Sequence, residues 1–236
     1  MGKRMPQFKL DGLILKIPRN CMNDNIQEAI NLGQYEQNET KALHRHITPD
    51  DRVLDLGGGV GYIALQAARI VGAQNVTTVE ASPAMHKAIG DNAEKNGLDA
   101  LRVVHGAVVP DSHKGDAVQF EVLPGFWASS IAAEGGKKKK ASTLVDVPAL
   151  KFGELQTRSM PTVISMDIEG AELDLAQCVW RPEVRIVIME VHPNRYGLHA
   201  LRQLVSSMFA NGFGPMPWGT RGSVMVFTRL DAPTGQ

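Results

Sequence analysis

The chain has 236 residues, 43% of them hydrophobic and 21% charged, a composition of ordinary globular type that reads as one domain. A chain of this length buries roughly 70% of its unfolded surface and needs no disulfide or metal staple. Lysine plus arginine balance aspartate plus glutamate at 25 each, which excludes a global electrostatic drive toward nucleic acid or an anionic membrane.

Cys21 and Cys178 have no metal-like spacing and read as two reduced thiols. The opening MGKRMPQFKLDGLILKIP lacks the apolar core of a signal peptide, and Pro6 breaks the myristoylation pattern. No apolar run is long enough to cross a bilayer. A cytoplasmic location is therefore the default expectation. Nothing in the sequence sets an oligomeric state.

Residues 7–17 alternate weakly and suggest a short hairpin; residues 24–46 read as helix and complete an N-terminal extension over 1–46. A strand at 53–56 then leads through a glycine cluster to a helix at 60–71, with Ile63, Ala64, Ala67, Ala68 and Val71 on one face. The second strand is 76–80. Ser82-Pro83 opens a helix that ends at Gly97, and a third strand covers 101–104. Residues 108–150 break the rhythm and read as a β-hairpin insertion, with strands at 118–123 and 142–147 around a Gly135-Gly136 and Lys137–Lys140 turn. Next come a strand at 162–166, a helix at 171–180, a strand at 184–190, a helix at 198–210 and a final strand at 223–228. Strands alternating with helices indicate an α/β fold with a mostly parallel sheet. The tight turn at Thr220-Arg221-Gly222 makes the last strand antiparallel.

The chemistry centres on Asp55-Leu56-Gly57-Gly58-Gly59-Val60-Gly61, between a strand and a helix. Glycines let the backbone turn tightly and a ligand approach closely, and the helix presents free N–H groups. A dinucleotide fingerprint would need a glycine at position 62, which is Tyr62. Asp55 would repel phosphate and suits an ammonium group. Glu80, at the end of the second strand, suits two ribose hydroxyls. A nucleoside with an amino group and no phosphate describes S-adenosylmethionine. NAD binding, or glycines that only make a tight connection, are the alternatives.

Four segments resemble the FkbM family of class I methyltransferases: Gly33-Gln34-Tyr35-Glu36 with Glu39-Thr40, the glycine loop, Ser165-Met166-Asp167-Ile168-Glu169-Gly170-Ala171-Glu172, and Ile188-Met189-Glu190-Val191-His192. The third is similar to the family's K-x-D-[VI]-E-G-x-E, with Ser165 in place of the lysine; Gly59 stands where that family often has asparagine. The resemblance spans roughly residues 33–192. It implies a Rossmann-like fold with seven core strands, S-adenosylmethionine as cofactor, and methylation of a hydroxyl on a sugar or other small metabolite.

By the same resemblance, Asp55, Gly57, Gly59 and Gly61 face the methionyl part of the cofactor. Glu80 takes the ribose, Ala81, Ser82, Gly106 and Ala107 the adenine, while Tyr35 and Glu36 close over the methionyl end. A hydroxyl acceptor must lose a proton, so Asp167 or His192 is expected as base and Glu169 as orienter of the acceptor. Glu169 and Glu172 have a plain alternative role as carboxylates at a helix N-terminus. Asp167, Glu190 and His192 are chemically able to bind a divalent ion, but no spacing demands it, and no metal is expected. Trp127, Trp218 and Phe126 are candidates to stack on a sugar, with core packing the commoner fate. Lys137–Lys140 reads as a solvated loop. Methylation of RNA and cofactor binding without catalysis remain the competing functions; the N-P-P-[YFW] pattern of base N-methylation is absent after the fourth core strand.

Overall fold

The computed structural model describes residues 6–122, 130–131 and 142–230. In chain order the strands and α-helices are β1 (Gln7–Leu10), β2 (Leu13–Lys16), α1 (Asp24–Asn31), α2 (Gln37–His46), β3 (Val53–Leu56), α3 (Tyr62–Val71), β4 (Val76–Glu80), α4 (Pro83–Lys95), β5 (Arg102–His105), β6 (Ala107–Val109), β7 (Ala117–Val122), β8 (Ser130–Ile131), β9 (Thr143–Lys151), α5 (Phe152–Ser159), β10 (Val163–Met166), α6 (Glu172–Leu175), β11 (Ile186–Glu190), α7 (Pro193–Ala210), β12 (Phe213–Arg221) and β13 (Val224–Arg229).

Seven strands form one Rossmann-like sheet in the order β12-β13-β11-β10-β3-β4-β5. The five strands from β11 to β5 are parallel; β13 runs antiparallel to both β11 and β12. Strand order reverses at β3, with β4 on one side and β10 on the other. In a doubly wound sheet, that reversal opens a crevice at the carboxyl ends of the strands. Strands β3 and β10 are buried along their whole length, as expected where helices cover both faces.

The N-terminal hairpin β1–β2 is attached by two asparagines one turn apart, Asn92 on α4 and Asn96 at its C-cap. Asn96 accepts from Ile14 N at 2.9 Å and donates to Ile14 O at 2.8 Å. Asn92 accepts from Lys16 N at 2.7 Å and donates to Lys16 O at 3.1 Å. The two side-chain amides thus act as a surrogate strand beside β2. Asn92 also donates to Val60 O at 2.9 Å, tying the hairpin to the glycine loop. Leu10, Leu13, Leu15 and Ile17 pack into the same core as α3. This explains why α3 is buried nearly all round.

Several expectations need correction. The helix expected over 24–46 is two helices, because the chain turns through Gly33 (φ 66°) and Glu36 (φ 47°). The helix expected over 171–180 is only Glu172–Leu175. The chain then winds on in three-residue turns, with Gln177 N to Asp174 O at 3.2 Å and Cys178 N to Leu175 O at 3.0 Å. These turns bring Trp180 between Phe152 and Phe213, at 5.0 and 5.5 Å between ring centroids. The insertion is more than a hairpin: β7 pairs antiparallel with β9, but β6 and β8 extend them to a four-stranded sheet, β6-β9-β7-β8. Its Lys137–Lys140 turn, with Phe126 and Trp127, lies outside the described residues. Helix α5 and strand β12 were not anticipated. Both cysteines are free.

The twin-asparagine anchor yields an expected outcome. Asn92→Ala leaves the part-buried backbone groups of Lys16 and the buried carbonyl of Val60 unpaired, at a cost of about 2–4 kcal/mol. The thermal midpoint should fall by roughly 5–10 °C in calorimetry; an unchanged midpoint would show that the hairpin is held by apolar packing alone.

Candidate active site

The crevice begins with the loop after β3. Gly57 (φ 85°), Gly59 (φ 54°) and Gly61 (φ 88°) adopt a backbone that other residues rarely take. Gly57 N and Gly58 N donate to Val79 O at 2.9 and 3.0 Å, folding the loop over the end of β4. Space excludes side chains as firmly as the dihedrals do. A Cβ on Gly57 would lie 1.8 Å from the Asp167 carbonyl oxygen, and one on Gly58 would lie 2.2 Å from Thr78 Oγ1.

Glu80 completes this wall. Gly59 N donates to its Oε2 at 2.8 Å and Ser82 N to its Oε1 at 2.7 Å. The carboxylate is thereby locked in place with lone pairs to spare. Burial pushes its pKa up to about 7, against the stabilising effect of those backbone donors. A group poised like this gains from a hydroxyl or cation that satisfies its ionised form. Asp55 is different. It lies beneath the loop, 3% exposed, bonded to Thr78 Oγ1 at 2.8 Å, with its pKa raised to about 6 by burial.

The crevice holds a cavity of about 410 Å³, within the range of small-molecule sites. Its two halves differ sharply. One runs from Gly57, Gly59 and Glu80 past Ala81, Ser82 and Met85 to Gly106, Ala107 and Val108; Phe120 and Ile131 of the inserted sheet form its far wall. The other is lined by Glu36, Glu39, Asp167, Glu169, Glu190 and His192. No lysine or arginine lines the cavity among the described residues. Every cofactor and catalytic residue named from the sequence lines this one cavity except Tyr35, Asp55 and Gly61. Tyr35 is a core side chain, 1% exposed and edge-on to Tyr62 at 5.6 Å, with its hydroxyl toward Glu36.

The acidic half is an organised cluster. His192, the residue before α7, has Nδ1 3.0 Å from Glu172 Oε1. Its Nε2 faces Asp167 Oδ1 and Glu169 Oε2, each at 3.5 Å. Glu172 is fully buried and also accepts from Gly170 N at 2.7 Å. Burial opposes ionisation of both partners, but the contact wins: Glu172 stays below the usual carboxylate range and His192 rises above the usual histidine value. Arg195 of α7 grips Glu169 Oε2 at 2.5 Å, and Glu169 sits at φ 55° in the turn after β10. Burial raises the Asp167 pKa well above normal, and the charges of Glu190, Glu169, Glu36 and Glu39 add to it. Burial likewise lifts Glu39 to about 7, where it shares a hydrogen bond with Glu190.

Sequence reasoning gave three members of this cluster less than their place in it. Glu39 stood inside a segment noted for its resemblance but received no role, and Glu190 was named only as one of three groups able to bind a divalent ion. Glu172 read as a helix cap, and it does cap Gly170 N, but its buried bond to His192 is a tertiary contact with no local signal. Trp218, considered for stacking, is 60% exposed on β12 and does not line the cavity.

Residues 53–123 match the family model described as a methyltransferase domain. Among solved structures, Trm5b from Pyrococcus abyssi is similar over 96% of this chain and 56% of its own, at 12% identity and a TM-score of 0.50. TYW2 from M. jannaschii, solved in complex with AdoMet, is similar over 97% of this chain and 89% of its own, at 12% identity and a TM-score of 0.48. A ribosomal protein L11 methylase from Lactobacillus delbrueckii subsp. bulgaricus is similar over 83% of this chain and 77% of its own, at 18% identity and a TM-score of 0.44. The fold is Rossmann-like, residues 53–123 match a methyltransferase domain, and the cofactor of such a domain is S-adenosylmethionine. The crevice suits that molecule. Its glycine wall has room for close approach, its slot beside Ala81 and Met85 is apolar, and its acids complement a sulfonium and an ammonium while repelling a pyrophosphate. Among the described residues, no helix is long and apolar enough to cross a membrane.

Gly57→Ala should abolish saturable cofactor binding, a loss of at least about 100-fold, because its Cβ would collide with the Asp167 carbonyl. Gly33→Ala supplies the comparison: its φ is +66°, but nothing lies within 4 Å of the added carbon. That variant should lose only about 1 kcal/mol of stability and keep cofactor affinity. Equal affinities in the two variants, read by fluorescence titration, would contradict the assignment of the loop.

Proposed function

We propose that this chain transfers the methyl group of S-adenosylmethionine to a hydroxyl of a small, non-anionic metabolite such as a sugar. The observation that carries this reading is the division of one cavity into a glycine-and-Glu80 half and an acid-lined half.

When bound, S-adenosylmethionine supplies a methyl group on a good leaving group, so positioning contributes much of the rate. Gly57, Gly59 and Glu80 would hold its amino-acid and ribose parts. Ala81, Ser82, Gly106 and Ala107 would flank the adenine. Asp55, bonded to Thr78, supports the loop from below.

A hydroxyl acceptor must give up its proton as it is methylated, and proton transfer of this kind is worth about 10²–10⁴-fold. Glu39, Asp167 and His192 place proton-accepting atoms along the acidic wall. Glu172 fixes the His192 ring, and Arg195 fixes Glu169, which orients the acceptor. The resemblance of residues 165–172 and 188–192 to the FkbM family supports oxygen as the acceptor atom. The same wall disfavours nucleic acid, since a phosphate chain entering it would meet carboxylates and, among the described residues, no lysine or arginine.

Two substitutions separate the halves. Asp167→Asn should lower turnover by about 100-fold or more while cofactor affinity stays within a few-fold. Glu80→Ala should weaken cofactor binding about tenfold or more. A radiolabelled methyl-transfer screen over polyhydroxylated and phosphorylated acceptors measures both variants. Loss of cofactor binding in Asp167→Asn would overturn the division, and transfer confined to RNA would overturn the acceptor class.

A further inference from the structure

Three side chains in the acidic half converge on one point of the cavity wall. Asp167, Glu190 and His192 each present one ligand atom, all within 4.8 Å of one another. They come from the ends of two adjacent parallel strands. Asp167 follows β10, Glu190 ends β11, and His192 lies two residues on.

Two further observations point to a ligand here. The Asp167 side chain is 43% exposed, but its Oδ1 is covered and has no hydrogen-bond partner, the nearest group being His192 Nε2 at 3.5 Å. A covered carboxylate oxygen without a hydrogen-bond donor is unfavourable, and a cation seated in the cavity would satisfy it. His192 is also held as a metal-binding histidine is held. Its Nδ1 is engaged by the fully buried Glu172, which turns Nε2 toward the carboxylates. Glu190 is positioned too, since its Oε1 accepts from Ser223 Oγ at 2.7 Å.

We propose that Asp167, Glu190 and His192 form a binding site for one divalent cation, of the class that accepts oxygen ligands with a single imidazole, such as Mn²⁺ or Mg²⁺. Two carboxylates and one imidazole leave the remaining positions of an octahedral ion open to the cavity. Oxygens of a diol or a hydroxyl acceptor fit those positions. The ion also offsets the repulsion of the carboxylates gathered on this wall. The ion's catalytic use rests on the proposed hydroxyl chemistry, whereas its binding does not. In that use the ion draws charge from the acceptor oxygen. The oxygen–hydrogen bond breaks toward Glu39, the oxygen–methyl bond forms and the sulfur–methyl bond breaks.

The test is titration of the chelator-treated full chain with Mn²⁺, following the free ion by electron paramagnetic resonance. One ion per chain should bind with half-saturation well below about 1 mM. Asp167→Asn and Glu190→Gln, which preserve shape, should each weaken it tenfold or more. Glu172→Gln should weaken it about tenfold through the ring it positions. Absence of saturable binding, or binding that survives both ligand substitutions within twofold, overturns the site. S-adenosylmethionine titrated into the same metal-free protein separates the two readings. If it binds where Mn²⁺ does not, only the cation site falls. If Mn²⁺ binds where it does not, the methyltransferase reading falls and the cation site stands.

Discussion

The molecule depends on the contact between the glycine loop and the end of β10. Asp167 N donates to Leu56 O at 2.9 Å, and the Asp167 carbonyl occupies the space where a side chain on Gly57 would be. A parallel sheet brings these two strand ends side by side, but only a residue without Cβ lets them touch. The consequence is chemical. The backbone of one residue forms the floor of the glycine loop while its carboxylate faces the acidic half of the cavity. The two halves of the site therefore cannot drift apart without breaking the centre of the sheet.

Around that contact the fold assembles a concentration of buried acid that no single element would tolerate. Four of the carboxylates are each held by a different partner. Glu172 has His192 and Gly170 N, Glu169 has Arg195, Glu190 has Ser223, and Glu80 has two backbone donors. Burial, and then crowding of like charge, raise the pKa values of Asp167, Glu36 and Glu39. Such stored electrostatic strain persists only where the surrounding structure enforces it, and positively charged ligands relieve it. A sulfonium, an ammonium and a divalent ion all meet that condition.

Much of this arrangement was legible in the sequence because it follows local rules. The strand–glycine–helix unit at 53–71, the Ser82-Pro83 helix start and the alternation of strands with helices all depend on near neighbours. What escaped depends on distant ones. Strand β12 contains Pro215 and Pro217, which argue against a central strand; it is tolerated because it lies at the edge of the sheet. Helix α6 stops early because Trp180 must reach Phe152 and Phe213. Asp55 was expected to meet the ligand from its place two residues before Gly57. The structure seats it under the loop because Thr78, on the neighbouring strand, supplies a bond that no spacing foretells. Glu172 looks like a cap in one dimension and becomes a histidine's partner only when β11 lies beside β10.

The claim that most needs direct measurement is that the crevice receives an adenosine carrying a cationic amino-acid chain. Isothermal titration of the intact chain with S-adenosylmethionine, and separately with S-adenosylhomocysteine, addresses it. The account predicts saturable one-to-one binding of both, with dissociation constants in roughly the micromolar range. Absence of heat with either compound at every workable concentration would contradict it.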